Sequence, residues 1–191
     1  MWREATIGFV ERNGEFKDSC AARPWVTKIE PKDPAMATFY LKSNKRLFVL
    51  TSVNLDKAPK YPDREMPRHF RRYSDMEWPV IFAGDFKTSS KNPGFKEPRK
   101  WAFKPAINGG SSGKKNKGAR ALDNFWFKNI SLLSASSINL HEQFPDVSPA
   151  EIDATMAEGF PVQAEFSFSE KDAEIVQTVL ISKAAARQPA K

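Results

Sequence analysis

Two apolar runs constrain what this chain can fold into. The first is LFVLTSV (47–53). The second is VIFA (80–83), inside WPVIFAGDFKTSS (78–90). Continuous runs of this length read as strands buried on both faces, which need a cover on each side of their sheet. The chain has 191 residues, of which 40% are apolar, with 15 Phe and 5 Trp. That is enough for one domain with a sizeable core. The second run ends in Gly84-Asp85-Phe86, so a buried strand delivers a carboxylate to its tip. Carboxylates at such tips suit a divalent cation. The residue that follows is a cation itself, Lys87 after Phe86.

The rest of the chain fits mixed strands and short helices around those two runs. Residues 5–12 alternate apolar and polar and predict a strand, followed by an Asn13-Gly14 turn. Residues 23–30 alternate again, and 36–42 predict a weaker strand. Residues 63–76, with Met66, Phe70 and Tyr73 among many charges, predict a short helix between the two apolar runs. Residues 88–120 have no period, and Asn92-Pro93-Gly94, Pro98, Pro105 and Asn108–Gly113 break regular structure. A mobile loop is expected over 108–119. Residues 121–128 and 131–136 predict strands. Ser148-Pro149-Ala150-Glu151 is a helix start for 149–157, with Ser as N-cap and Glu at the third helical position. Residues 160–168 predict a last alternating strand, and 171–185 a terminal helix before a loose tail. The expected organisation is a single domain over 1–170 with a basic loop at 88–120, then 171–191 as helix and tail.

Charge is unevenly placed. Between Lys87 and Arg120 there are ten Lys/Arg against one acid, Glu97, although the whole chain carries only +7. The cations are Lys87, Lys91, Lys96, Arg99, Lys100, Lys104, Lys114, Lys115, Lys117 and Arg120. Such a segment suits a polyanion, nucleic acid first, whether DNA or RNA. Phe95, Trp101 and Phe103 are interleaved with the charge. They can stack on bases or anchor the segment to the core. No apolar run approaches the length of a membrane span, and the first residues lack a signal-peptide pattern. The one cysteine, Cys20, excludes an internal disulfide framework. A cytoplasmic protein with no membrane association is expected. The two histidines, His69 and His141, are not spaced as a metal pair. Gly109-Gly110-Ser111-Ser112-Gly113-Lys114 has the composition of a phosphate loop, but it follows no strand and opens no helix.

Five stretches in order resemble the endonuclease/exonuclease/phosphatase superfamily in its deoxyribonuclease I-like form. REATIGFVER (3–12) resembles its Glu-x-x-x-aromatic strand, and ARPWVTKIE (22–30) its Arg-x-Pro-x-Val-x-x-Phe strand. FVLTSVNLDKAP (48–59) resembles the strand ending in Thr-His-Leu. VIFAGDFKTSS (80–90) resembles the Gly-Asp-Phe-Asn signature. LDNFWF (122–127) with EGFPVQAEF (158–166) resembles the Tyr-Asp-Arg-Ile strand and the closing Ser-Asp-His-x-Pro-Val. The resemblance implies an α/β (α+β) chain forming part of a four-layered β-sandwich flanked by helices. In that family, water attacks phosphorus with the help of Mg²⁺, a His base oriented by an Asp, and phosphate-steadying Asn and His.

Matched residue by residue, the resemblance leaves remnants only. Asp85 matches the signature Asp and is the one doubtful metal ligand. Asp123 matches the Asp that orients the catalytic His. Asn54 stands at the second His. Lys87 replaces the signature Asn, where it either contacts phosphate directly or forms an ion pair with Asp85, and Gly159 and Phe160 stand at the metal-linked Asp and the catalytic His. The match begins near residue 3, so the family's Asn strand and metal-binding Glu strand have no counterpart. The resemblance therefore implies a shortened, catalytically degenerate protein that binds nucleic acid or another polyanion without cleaving it, with no cofactor. The first alternative is a Mg²⁺-dependent phosphodiesterase with residual activity, or one completed by a partner chain. The second is a protein-interaction module, binding a partner or a second copy through an exposed sheet edge.

Overall fold

A computed structural model describes residues 6–10, 16–17, 35–55, 60–108, 123–155, 161–168 and 175–177. Strands β1 (Ile7–Val10), β2 (Phe16–Lys17), β3 (Ala35–Leu41), β4 (Leu47–Asn54), β5 (Val80–Asp85), β6 (Lys104–Pro105) and β7 (Asp123–Lys128) form one sheet, in the order β2-β1-β3-β4-β5-β7-β6. Strands β8 (Ser131–Ser137), β9 (Val162–Ser167) and β10 (Ile175–Gln177) form a second, in the order β10-β9-β8. The helices are α1 (Pro62–Arg71), α2 (Lys96–Lys100), α3 (Leu140–Gln143) and α4 (Pro149–Thr155). A 3₁₀ turn, Pro93–Phe95, precedes α2.

Among the described residues, one pairing in the large sheet is parallel, β4 with β5, and α1 lies in the crossover that a parallel pair requires. The two apolar runs are thus adjacent strands at the centre of the sheet. Their alternate residues point to two different cores. Val49, Val53, Val80, Phe82 and Trp126 face one way, against Met66, Phe70 and Tyr73 from α1 and the turn after it. Ile81, Ala83, Phe125 and Phe127 face the other way, against Val162, Ala164 and Phe166 of β9. The large sheet is therefore sandwiched between a helical layer and the small sheet. This is the α/β, deoxyribonuclease I-like architecture expected. Burial on both faces holds along β5, whereas β4 is exposed at Ser52 and Asn54 near its end.

The helical-side core is largely aromatic. Phe70 stacks on Phe82 at 4.3 Å and meets Phe103 and Trp126 edge-on at 5.0 and 5.8 Å. Phe95 lies flat on Trp126 at 4.1 Å. Each fully buried ring contributes on the order of 2–3 kcal/mol of transfer free energy. Helix α1 starts at a proline, with Asp63 and Glu65 in its first turn and Arg68 and Arg71 in its last, which complements the helix dipole. Just beyond it, the buried Lys128 donates from Nζ to the carbonyls of Tyr73 and Ser74 at 3.1 and 2.7 Å. Burial pushes the Lys128 ammonium below its ordinary value, and Asp75 partly opposes this.

Several expectations are corrected. The stretch 88–120 is not structureless throughout. Up to residue 108 it holds a 3₁₀ turn, α2 and β6, because Phe95 and Phe103 are core residues at 0% and 1% exposure. Residues 175–177 are strand rather than part of a terminal helix. They pair antiparallel with β9, where Ile175 and Val176 suit an edge strand. The strand expected over 36–42 is present as β3, which runs seven residues between β1 and β4. The short α3 was not anticipated. Ser148 does serve as the helix start, its Oγ accepting from the Glu151 N–H at 3.2 Å. The predicted strand 23–30 and Cys20 lie outside the described residues. Among those described, no helix is long and apolar enough to cross a membrane.

Candidate functional site at the strand tips

The parallel register of β4 and β5 sets Asn54 beside Asp85, and the antiparallel register of β5 and β7 sets Asp85 beside Asp123. Three residues far apart in sequence thus form one row across the end of the sheet. Period-2 alternation places them on the same face as Ile81, Ala83 and Phe125, toward the small sheet. Neighbours in such a row are roughly 5 Å apart between Cα atoms. The two carboxylates are buried, Asp85 at 4% and Asp123 at 9% exposure, while Asn54 is exposed.

The backbone before Asp85 is built around Gly84. Its φ is +142°, and a Cβ there would lie 1.8 Å from the Val53 carbonyl oxygen. Only glycine lets β5 pass this close to β4. The ladder then runs one bond further, the Leu55 N–H donating to the Asp85 carbonyl at 3.0 Å.

Beyond the tip the chain turns back on itself. Lys87 has φ +51°, a left-handed conformation uncommon for a residue with a side chain. That turn aims two donors at one carboxylate. The Lys87 N–H donates to Asp85 Oδ1 at 2.9 Å. The Lys87 ammonium sits 2.7 Å from Oδ2, in an off-axis contact that is ionic rather than a directed hydrogen bond. Both oxygens of Asp85 are engaged by the residue two positions on.

This geometry bears directly on Mg²⁺. The acids at the described strand tips are Asp85 and Asp123, and the Lys87 ammonium stands 2.7 Å from Oδ2 of Asp85. Among the described residues no group of three or more His, Cys, Asp or Glu is arranged to hold a metal ion. Among the described residues, the donors at the strand tips are fewer than those of the metal site that the resemblance implies. His69 lies on α1 and His141 on α3. Gly159 and Phe160 lie outside the described residues.

The basic segment divides into pinned and open parts. Arg99 donates from Nη2 to the Ser90 carbonyl at 2.7 Å and lies over the Trp126 ring at 5.0 Å. Lys100 pairs with Glu97 at 2.6 Å. Lys91, Lys96 and Lys104 are exposed, and Trp101 is half-buried against the helical-side core. Lys114, Lys115, Lys117 and Arg120 lie outside the described residues. Asn124 anchors the start of that stretch. Its Nδ2 donates to the Ile107 carbonyl at 2.8 Å, and its Oδ1 accepts from the Ile107 N–H at 3.0 Å. Nothing in the sequence marks Asn124, because an amide inside LDNFWF shows no period; its role comes from a partner 17 residues away.

Among the described residues, the architecture is two stacked sheets with a helical layer outside the larger one. No protein-family model matches the sequence, and no curated protein matches it. Solved structures do. A functionally unknown conserved protein from Enterococcus faecalis V583 is similar at TM-score 0.53 and 17% identity, over 73% of this chain and 60% of that one. An endonuclease/exonuclease/phosphatase from Bacteroides vulgatus is similar at TM-score 0.50 and 12% identity, over 85% of this chain and 64% of that one. The chain thus has the endonuclease/exonuclease/phosphatase fold, and it spans less than two thirds of either structure.

Proposed function

We propose that this protein is a catalytically degenerate member of its fold class, which binds nucleic acid or a similar polyanion without cleaving it. The carrying observation is the clasp of Lys87 on Asp85. A buried carboxylate already neutralised by an ammonium at 2.7 Å has little charge left to attract Mg²⁺. Exposed Lys91, Lys96 and Lys104 place positive charge on the segment that follows, and Lys114, Lys115, Lys117 and Arg120 add to it in sequence. Binding of this kind weakens steeply with salt through release of counterions.

The row Asn54-Asp85-Asp123 favours a second reading, residual Mg²⁺-dependent phosphodiesterase activity, because it aligns three positions the resemblance assigns to chemistry. A gel separates the two. The protein is incubated with supercoiled plasmid and with single-stranded RNA, in Mg²⁺ or EDTA, at low and high salt. A salt-sensitive shift without nicking, weakened by replacing Lys114, Lys115 and Lys117 with Ala, is the expected result. Nicking that needs Mg²⁺ and disappears in Asp85→Ala would overturn it. Neither shift nor nicking would move the reading to a protein-interaction module. The edge strand β8, with Leu133 52% exposed, is the surface to test by pull-down.

A further inference from the structure

Helix α1 carries two stripes with the same spacing. Met66 and Phe70, with Tyr73 in the turn just beyond the helix, point into the core. Arg64, Arg68 and Arg71 repeat that spacing two residues earlier, about 200° around the helix. These three arginines form one wall of an open groove of about 590 Å³ on the outside of the helical layer. Glu97 and Trp101 line it from the α2 side, and Asp75 lines it beyond the end of α1. The groove lies on the opposite side of the large sheet from Asn54, Asp85 and Asp123.

The acids in this groove have cations of their own. Glu97 is paired with Lys100 at 2.6 Å. Asp75 lies close enough to Lys128 to favour its charged form. Among the described residues, no carboxylate is ion-paired with Arg64 or Arg71. The groove therefore offers two guanidinium groups, Arg64 and Arg71, that no described carboxylate pairs, about 10 Å apart along the helix axis. Trp101 packs its inner side on the core cluster and lines the groove with the remainder. A row of planar cations beside a flat indole matches a chain with regularly spaced phosphates and faces that stack. Glu97 and Asp75 can accept hydrogen bonds from base amino groups or ribose hydroxyls.

We propose that the groove between α1 and α2 is a binding track for single-stranded nucleic acid, with the arginines on the phosphates and Trp101 as a stacking platform. This rests on the reading that the protein binds nucleic acid; it names the form of the strand and a surface separate from the loop 108–119.

The test uses the full chain and fluorescently labelled oligothymidine, oligouridine and a short DNA duplex, with a Glu-rich peptide of matched charge. Anisotropy is recorded at low and physiological salt. Expected results are roughly 10- to 100-fold weaker single-strand binding in Arg64→Glu/Arg71→Glu, with a shallower salt dependence. Trp101→Leu should lose roughly tenfold with its salt dependence unchanged. Both arginines are exposed, so these changes leave the core intact, and Arg64→Gln/Arg71→Gln repeats the test without charge reversal. Unchanged single-strand binding in both double variants, with loss on replacing Lys114, Lys115 and Lys117, overturns the groove and leaves the general binding reading standing. No binding of any oligonucleotide by the unaltered protein overturns both. Peptide or duplex binding that is tighter than single-strand binding and lost in the arginine variants overturns the assignment of the ligand. A preference between oligothymidine and oligouridine separates DNA from RNA as the source of the strand.

Discussion

Replacing Lys87 by Met should destabilise the protein by about 2–3 kcal/mol. Methionine keeps most of the lysine stem and leaves the left-handed backbone as it is, so the main change is loss of the ammonium. At the observed 2.7 Å, Coulomb's law gives about 1.5 kcal/mol in bulk water and about 6 kcal/mol at an effective dielectric of 20. Desolvation offsets part of this, and the 20% exposure of Lys87 admits some screening. What remains in the variant is Asp85 at 4% exposure, facing Asp123 on the next strand with its cation gone. With a urea slope of about 2 kcal/mol per molar, the midpoint should fall by about 1–1.5 M. The diagnostic term is the double variant. In Lys87→Met/Asp85→Asn the amide still accepts from the residue 87 N–H, and no buried charge is stranded. It should therefore be more stable than Lys87→Met alone. Urea unfolding of the wild type, both single variants and the double variant gives the coupling. If Lys87→Met lies within about 0.5 kcal/mol of wild type, or if the two single changes simply add, the clasp is not a coupled buried pair and the argument against metal at Asp85 fails.

Other expectations follow from the same geometry. Gly84→Ala should cost more than about 4 kcal/mol or prevent folding, since the methyl would meet the Val53 carbonyl; a cooperative melt near the wild-type temperature would contradict this. Asn124→Ala should cost about 1–3 kcal/mol by stranding the Ile107 N–H and carbonyl, and should raise amide exchange around residues 105–108. Phe95→Ala should cost about 3–5 kcal/mol in chemical denaturation, as for a core ring and not a base-stacking platform. Lys128 has its pKa lowered in the folded state. Between that lowered value and the ordinary 10.5, the unfolded chain binds more protons, so the Lys128 contribution to stability rises with pH there. Urea midpoints across the alkaline range should show this rise in wild type, and it should be absent in Lys128→Met.

Much of the fold was legible in the sequence because burial leaves local marks. VIFA is apolar without interruption because β5 is covered on both faces, and its Gly-Asp ending marks the strand tip. Met66 and Phe70, with Tyr73 just beyond, mark the inner face of α1 at helical spacing. Ser148 and Glu151 mark a helix start by chemistry confined to one turn. The loop between Lys87 and Asn108 was less legible. Its prolines and lysines hide two phenylalanines whose burial depends on Trp126 and Phe70, residues with no local relation to them. The arginine stripe was present at readable spacing on α1, but its groove exists only because α2 packs beside it and brings Trp101.

By itself, the sequence determined the two central strands, the helix between them, the carboxylate at the tip of β5 and the surplus of positive charge after it. These follow from side-chain hydrophobicity, turn chemistry and charge, which act over a few residues. Only the tertiary structure aligned Asn54, Asp85 and Asp123 in one row, because strand register couples residues separated by a helix or a long loop. Only it set the ammonium of Lys87 on Asp85, because that contact requires the left-handed turn at Lys87 that folds the chain back onto the carboxylate.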